Sequence, residues 1–333
     1  MPQHTREIHL AARPVGEPKP SDFRLVEVDL PDPGPSELLV RNTWMSVDPY
    51  MRGRMNAARS YAAPYEVGEP LYGGAIGEVL ATGDERFAVG DVVLHQAGWR
   101  EHAVVSARAA SVVETGGAPV QYALGALGMP GLTAYTGLQL ASLREGDVVF
   151  VSGAAGAVGS MAAQLAKLRG NTVIGSAGTP TKVASLRDEL GLDAAFDYHD
   201  GPVAELLARA APDGIDVYFD NVGGEHLEAA IGAMRDYGRI AVCGSISGYN
   251  ATEPPPGPRN MSLVVGKRLT LRGFIVLDHD DLRPEFVREA GPALADGRIV
   301  VRETVRDGLE AAPQALIDLL RGENVGKMLV RLG

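Results

Sequence analysis

Val148-Val149-Phe150-Val151-Ser152-Gly153-Ala154-Ala155-Gly156-Ala157-Val158-Gly159-Ser160-Met161-Ala162-Ala163-Gln164-Leu165-Ala166-Lys167 is the stretch on which the fold turns. A β-branched and aromatic run enters a glycine-rich turn, and the turn opens into a helix-forming segment: strand, turn, helix. Glycines at 153, 156 and 159 let the backbone turn sharply and come close to a pyrophosphate, whose charge the free N–H groups at a helix start would hold. The alanines between them keep the turn small. The spacing is GxxGxxG and departs from the strict GxGxxG fingerprint; a tight turn without a ligand is the plain alternative, and the strand-to-helix context favours dinucleotide binding. Gly153, Ala155, Gly156, Ala157, Val158 and Gly159 are the first candidate cofactor residues.

Outward from this motif, strand-like segments at 172–176, 195–198, 217–221, 239–243 and 269–274 alternate with helical ones such as 160–169 and 181–190, the pattern of a parallel sheet with helical crossovers. At the end of the second strand, where an acidic side chain commonly binds the ribose hydroxyls of NAD, the text reads Ile174-Gly175-Ser176-Ala177-Gly178-Thr179-Pro180-Thr181-Lys182. With no Asp or Glu to repel a 2′-phosphate, and with Ser176, Thr179 and Lys182 able to bind one, the sequence favours NADPH; a solvated surface lysine is the bland reading of Lys182. Before residue 120 the text is short alternating runs broken by Gly and Pro, at 23–28, 37–41, 77–80, 91–94 and 101–105, which predicts half-buried strands. β character returns at 298–305, a helix follows at 311–321 and a strand at 327–332. The expected organisation is an α/β unit over 121–297 inserted into a β-rich domain made of 1–120 and 298–333.

The chain has 333 residues, of which 45% are hydrophobic and 22% charged, so two globular domains are expected, with room for a cleft between them. A net charge of −11 argues against nucleic acid or an anionic membrane as partner and for a small molecule. A single cysteine, Cys243, permits no internal disulfide, and no apolar run has signal-peptide or membrane-spanning length, so a cytoplasmic location is expected. The proline run 254–258 reads as a stiff loop bordering the site, and with the segment 56–69 it would set the pocket size.

Five motifs, read in order, resemble those of the zinc-independent medium-chain dehydrogenase/reductases: Ser46-Val47-Asp48-Pro49-Tyr50-Met51-Arg52-Gly53-Arg54-Met55, Gly128-Met129-Pro130-Gly131-Leu132-Thr133-Ala134-Tyr135, Phe219-Asp220-Asn221-Val222-Gly223-Gly224, Cys243-Gly244-Ser245-Ile246-Ser247-Gly248-Tyr249-Asn250 and Glu323-Asn324-Val325-Gly326-Lys327. Within that superfamily they are similar to the alkenal/one oxidoreductase branch, which includes prostaglandin reductases and plant double-bond reductases. The resemblance runs from about residue 6 to 332. It implies a Rossmann doubly wound sheet inserted into a GroES-like domain, a homodimer, and NADPH-dependent reduction of the C=C bond of small enals and enones. It places the 2′-phosphate near Ser176, Lys182 and Tyr198, the cofactor's phosphate and ribose near Asn221 and Asn324, and the nicotinamide along Phe274 and Val276. Met129 and Thr133 would line the same site, and Cys243 would pack near the cofactor.

Conjugate reduction needs a donor for the oxygen that becomes negative, and a tyrosine hydroxyl suits that task without a metal. Tyr50 and Tyr249 stand in the matching motifs as the catalytic candidates, with Tyr50 expected to face Tyr249 across the cleft; the sequence does not choose between them, and a packed tyrosine is the default reading of each. Arg52 and Arg54 would attract a substrate carboxylate, or be surface charge; Arg52 is taken into the expected substrate pocket with Tyr50, Met129, Thr133 and Tyr249. A zinc site is not expected: the first third has His4, His9, His95 and His102 but no cysteine. A quinone reductase, or a non-catalytic NADPH-binding regulator, are the competing readings.

Overall fold

The computed structural model describes residues 3–58 and 60–333. Met1, Pro2 and Arg59, the last within the 56–69 segment expected to shape the pocket, lie outside the described residues. The chain divides into two compact units: one formed by residues up to 124 together with 303–333, the other by residues 125–302.

The 125–302 unit is built on a six-stranded sheet in the order Ala194–Asp197, Thr172–Ala177, Val148–Val151, Ile215–Asp220, Met234–Val242, Thr270–Gly273. Every neighbouring pair is parallel. Counted along the chain this is 3-2-1-4-5-6, the doubly wound Rossmann arrangement, whose switch point lies between Val148–Val151 and Ile215–Asp220. Central strands covered on both faces read as continuous apolar runs: Val149, Phe150 and Val151 are fully buried, each side chain contributing about 1.5–3 kcal/mol. The helix Ala157–Leu168 buries Met161, Ala162, Leu165 and Ala166.

Met129–Leu140 is a helix whose residues from Pro130 to Leu138 are all buried. It therefore shows no amphipathic period. Small residues admit it: a Cβ on Gly131 would stand 2.0 Å from Ala126 O, and one on Gly137 2.4 Å from the Phe219 ring. The expected helix at 181–190 is Pro180–Asp188. The strand expected at 239–243 begins earlier, at Met234, where its pairing with Ile215–Asp220 shifts register between Ile215 and Val217.

The other unit joins the two ends of the chain in one sheet. Glu303–Asp307 runs parallel to Lys327–Arg331, which pairs antiparallel with Glu37–Ser46; Ala75–Thr82, Val92–His95 and Ser111–Val112 follow in order, and His102–Ser106 also pairs with Glu37–Ser46. Gln3–Leu10 and Phe23–Leu30 form a separate antiparallel hairpin. The β character expected from 298 starts only at Glu303; residues 298–302 are not a strand and lie in the other unit. The C-terminal helix is Ala312–Leu320, and it packs Ala312, Ala315, Leu316 and Leu319 into the same core as Met45, Met51 and Trp99.

Candidate functional site

In the Rossmann unit the candidate cofactor residues gather at the carboxyl ends of the parallel strands. Gly153 turns the chain with φ 59°, and Gly156 caps the helix in extended conformation without a side-chain cap. No acidic residue occupies the first turn of that helix. Ala154 N donates to Ser176 O at 2.9 Å, tying the turn to the neighbouring strand. A Cβ on Gly159 would stand 2.3 Å from Gly153 O, so the third glycine is what lets the helix close on the turn. The N–H groups at this helix start, with Ala157, Val158 and Gly159, point positive potential at the switch point.

At the end of Thr172–Ala177, Ser176 is fully buried and its hydroxyl has no partner among the described residues. Thr179 Oγ1 accepts from Lys182 N at 3.2 Å and starts the helix Pro180–Asp188, on whose first turn Lys182 is buried. Tyr198 lies against Gly178, where an added Cβ would meet its hydroxyl at 2.5 Å, and packs edge-on to His226 at 5.3 Å. These groups offer a hydroxyl, an ammonium and a phenol with no carboxylate on the strand end, which fits an esterified ribose better than a free 2′-hydroxyl.

A buried network fixes the next turn. Asp220 Oδ1 accepts from Val222 N at 3.0 Å and Gly223 N at 2.7 Å, with the Tyr218 hydroxyl at 2.7 Å. Burial raises Asp220 above the usual carboxylate range against those bonds. Asn221 donates from Nδ2 to Ser152 O at 2.8 Å and from its main-chain N to Ser152 Oγ at 3.0 Å, so its amide is held beside the first strand's end. Sequence reasoning read Asn221 and passed over Asp220, although the residue before it in the same motif sets its turn. Cys243 is half-buried, and burial pushes its thiol up to about 12, which leaves it a protonated packing residue. Tyr249 stands past the end of Met234–Val242, its hydroxyl 3.3 Å from where a Gly244 Cβ would be. Phe274 meets Phe219 edge-on at 6.5 Å, and Val276 opens the turn Val276–Leu282; both pack on the unit's core. Thr133 is buried and donates to Met129 O at 2.8 Å, so its proton is used within the helix rather than offered to a pocket.

In the β-rich unit Tyr50 opens the short helix Tyr50–Arg54. Burial, and after it the Asp48 carboxylate, pushes its hydroxyl well above its ordinary value, so it stays protonated. Gly73 makes room for that hydroxyl: an added Cβ would stand 3.3 Å from it. Asp48 is itself buried and paired with Lys327 at 3.2 Å, and the Lys327 ammonium donates further to Val47 O at 2.8 Å and Met328 O at 2.7 Å. Asn324 is buried and donates to Gly326 O at 2.7 Å.

Arg52 corrects the sequence reading. It is 2% exposed and commits its guanidinium to Gly16 O at 2.7 Å and Asn56 Oδ1 at 2.7 Å, tying the 14–16 loop to the helix instead of lining a pocket. Arg54 has the setting that Arg52 lacks: its guanidinium lies 4.1 Å over the Tyr72 ring and 4.7 Å over the Tyr65 ring, donates to the Tyr72 hydroxyl and to Ala63 O at 2.9 Å. Tyr65 and Tyr72 carried no sequence motif. Of the histidines weighed as metal ligands, His95 is buried and pushed down to about 4, and His102 lies beside Thr5 Oγ1 at 3.3 Å. Among the described residues no three His, Cys, Asp or Glu side chains are grouped to share a metal ion, and no helix is long and apolar enough to cross a membrane.

Comparison with known proteins agrees with this geometry. Residues 6–113 match the family described as the N-terminal domain of oxidoreductase, and residues 157–290 the family described as zinc-binding dehydrogenase. The chain is 41% identical to the NADPH-dependent curcumin reductase of Escherichia coli K12 over 99% of this chain and 97% of that protein. It is 40% identical to the NADP(+)-dependent 2-alkenal reductase of Nicotiana tabacum, over 95% of this chain and 94% of that one. The crystal structure of CurA from Vibrio vulnificus in complex with NADPH superposes with a TM-score of 0.94 at 42% identity, covering 98% of this chain and 99% of that one. Fold, motif order and relatives over nearly the whole length agree: the chain belongs to the medium-chain dehydrogenase/reductases, in their alkenal/one oxidoreductase branch.

Proposed function

We propose that this enzyme uses NADPH to reduce the carbon–carbon double bond of small α,β-unsaturated aldehydes and ketones. The observation that carries the reading is the Tyr50 hydroxyl, kept protonated by burial and given room by Gly73. Such a hydroxyl is a preorganised donor for a carbonyl oxygen that gains negative charge. When bound, NADPH supplies a hydride from its nicotinamide ring. Gly153, Gly156 and Gly159, with the N–H groups of Ala157 and Val158, would hold its pyrophosphate; Ser176, Lys182 and Tyr198 its 2′-phosphate; Asn221 and Asn324 its ribose region; Phe274 and Val276 the ring.

With that hydride added at the β-carbon, the π pair would move toward the carbonyl to give an enolate, and Tyr50 would donate a hydrogen bond to the enolate oxygen. A proton from solvent then completes the α-carbon, so one hydride and one proton saturate the bond. Tyr249, beside Gly244, is the second tyrosine proposed for this role. A second copy of the chain is the proposed macromolecular partner: Met261, Leu263, Val265 and Leu277 are exposed near the edge strand Thr270–Gly273. The single cysteine, held as a thiol, suits a reducing cytoplasm.

The test is oxidation of NADPH, and separately NADH, by the purified protein with a 2-alkenal, an aryl enone, a simple quinone and a saturated aldehyde. Turnover with the alkenal and enone but not the saturated aldehyde is expected, with Tyr50→Phe lowering kcat by about 10²-fold. Turnover with the quinone alone would replace this reading by quinone reduction, and tight NADPH binding with no turnover at all would replace it by a regulatory one.

A further inference from the structure

The chain carries a net charge of −11, and most of its arginines are neutralised by a carboxylate within the fold. Arg54 is not: among the described residues its partners are two tyrosine rings, the Tyr72 hydroxyl and the carbonyl of Ala63. Rings and a carbonyl hold a guanidinium in place and leave its charge intact. Tyr65 in turn donates to Tyr72 O at 2.6 Å and meets the Tyr72 ring edge-on at 5.0 Å, so the cage is itself braced.

Placement follows from helix geometry. Arg54 is four residues after Tyr50 in the helix Tyr50–Arg54, so the two share a face, whereas Arg52, two residues on, points to the opposite side and into the 14–16 loop. Tyr50, Tyr65 and Tyr72 pack in one cluster. The charges that face Tyr50 are Asp48 and Arg54, with the phenols of Tyr61 and Tyr65. Asp48 is already paired with Lys327 and accepts from Ser46 Oγ, which leaves Arg54 as the unneutralised charge beside the hydroxyl.

We propose that Arg54 is a positioning residue for the reduction: its uncompensated guanidinium, caged by Tyr65 and Tyr72, polarises the Tyr50 O–H and so strengthens its hydrogen bond to the oxygen that becomes negative as the substrate carbonyl turns into an enolate. The inference rests on the reading of Tyr50 as donor and adds the group that makes it effective. Electrostatic stabilisation of charge that appears only in the transition state lowers the barrier without tightening substrate binding, so the effect belongs in kcat and not in KM.

The experiment is a double-mutant cycle in the full chain, with NADPH and a short 2-alkenal. Arg54→Met lowers kcat about tenfold while both KM values stay within about threefold, and Arg54→Lys, which keeps the charge, recovers most of the loss. In the Tyr50→Phe background, Arg54→Met has no further effect on kcat. If Arg54→Met does not fold, Tyr72→Phe keeps the ring and removes one anchor of the guanidinium; it lowers kcat about threefold, again only when Tyr50 is present. An unchanged kcat, or an equal fall in both backgrounds, overturns the inference. Full activity of Tyr50→Phe alone overturns the reading of Tyr50, and this inference with it, and is told apart by needing no change at Arg54.

Discussion

The three glycines of the 153–159 turn are not equivalent, and replacing each with alanine separates their roles. A methyl on Gly159 would stand 2.3 Å from Gly153 O and 2.9 Å from Ala154 Cα, both main-chain atoms that cannot swing aside. Ordinary contact begins about 1 Å farther out, so the turn must move by about that much relative to the helix start, an overpacking of about 2 kcal/mol. The N–H groups meant for the pyrophosphate move with it. If that strain falls on the bound geometry, the Kd for NADPH rises about 30-fold. A methyl on Gly156 would meet Gly153 O at 3.3 Å, a gap closed by a shift of a few tenths of an ångström, so Gly156→Ala changes Kd by less than about threefold. A methyl on Gly153 would make ordinary contacts, 3.6 Å from Val222 Cγ2 and 3.7 Å from Asn221 Cβ, but the φ of 59° costs Gly153→Ala about 1–2 kcal/mol of stability. Calorimetric titration with NADPH, with thermal melts of each variant, reads both effects. Equal loss of affinity in Gly156→Ala and Gly159→Ala would refute the reasoning, because contact distance would not be what ranks them.

Burial holds His95 and His226 neutral, each pushed down to about 4 from 6.5. Between those values the unfolded chain binds protons that the folded one refuses, so stability is complete above about pH 6.5 and falls by about 3 kcal/mol per histidine as pH drops to 4. Chemical denaturation across that range should show the fall, and His95→Gln should flatten it; an unchanged slope would mean that His95 titrates normally. Lys327→Met leaves the Asp48 carboxylate buried and unpaired, which should cost about 3–5 kcal/mol in denaturant, with part recovered by adding Asp48→Asn; a neutral single variant would contradict the pairing. Val265→Asp, at a residue 80% exposed, should turn a dimer into a monomer in sedimentation. A wild-type monomer at every concentration would remove that interface.

The parallel sheet was legible because its strands are buried on both faces and its turn is spelled by glycines, as in Val149 to Gly159. The helix Met129–Leu140 was legible only as a motif, since burial on all sides erases the period that marks a helix. Arg283–Ala295 carries Pro292 inside it, which conceals it further. At the candidate site, the motif around Tyr50 drew attention to Arg52 and Arg54 together, and only the fold separates them: one is spent on Gly16 and Asn56, the other rests between Tyr65 and Tyr72. Those two tyrosines are up to 18 residues from Arg54 along the chain, a separation no local pattern encodes. Asp220 was overlooked because its work is done through main-chain N–H groups, which leave no mark on spacing.

The bond from Lys327 Nζ to Val47 O joins positions 280 residues apart. A ribosome makes residue 327 after the whole of the 125–302 unit, so the 44–46 stretch of Glu37–Ser46 waits for its partner, Leu329 to Arg331, until that unit has been made. The inner 125–302 segment is contiguous and has all six of its parallel strands well before that point. Assembly during translation therefore completes the inner unit before the sheet that flanks it in sequence, and Glu37–Ser46, made before the inner unit, gains its last neighbour after it. A chain that stops short of 327 would carry a finished inner unit and an unpaired strand edge at 44–46, a template for pairing with the wrong chain.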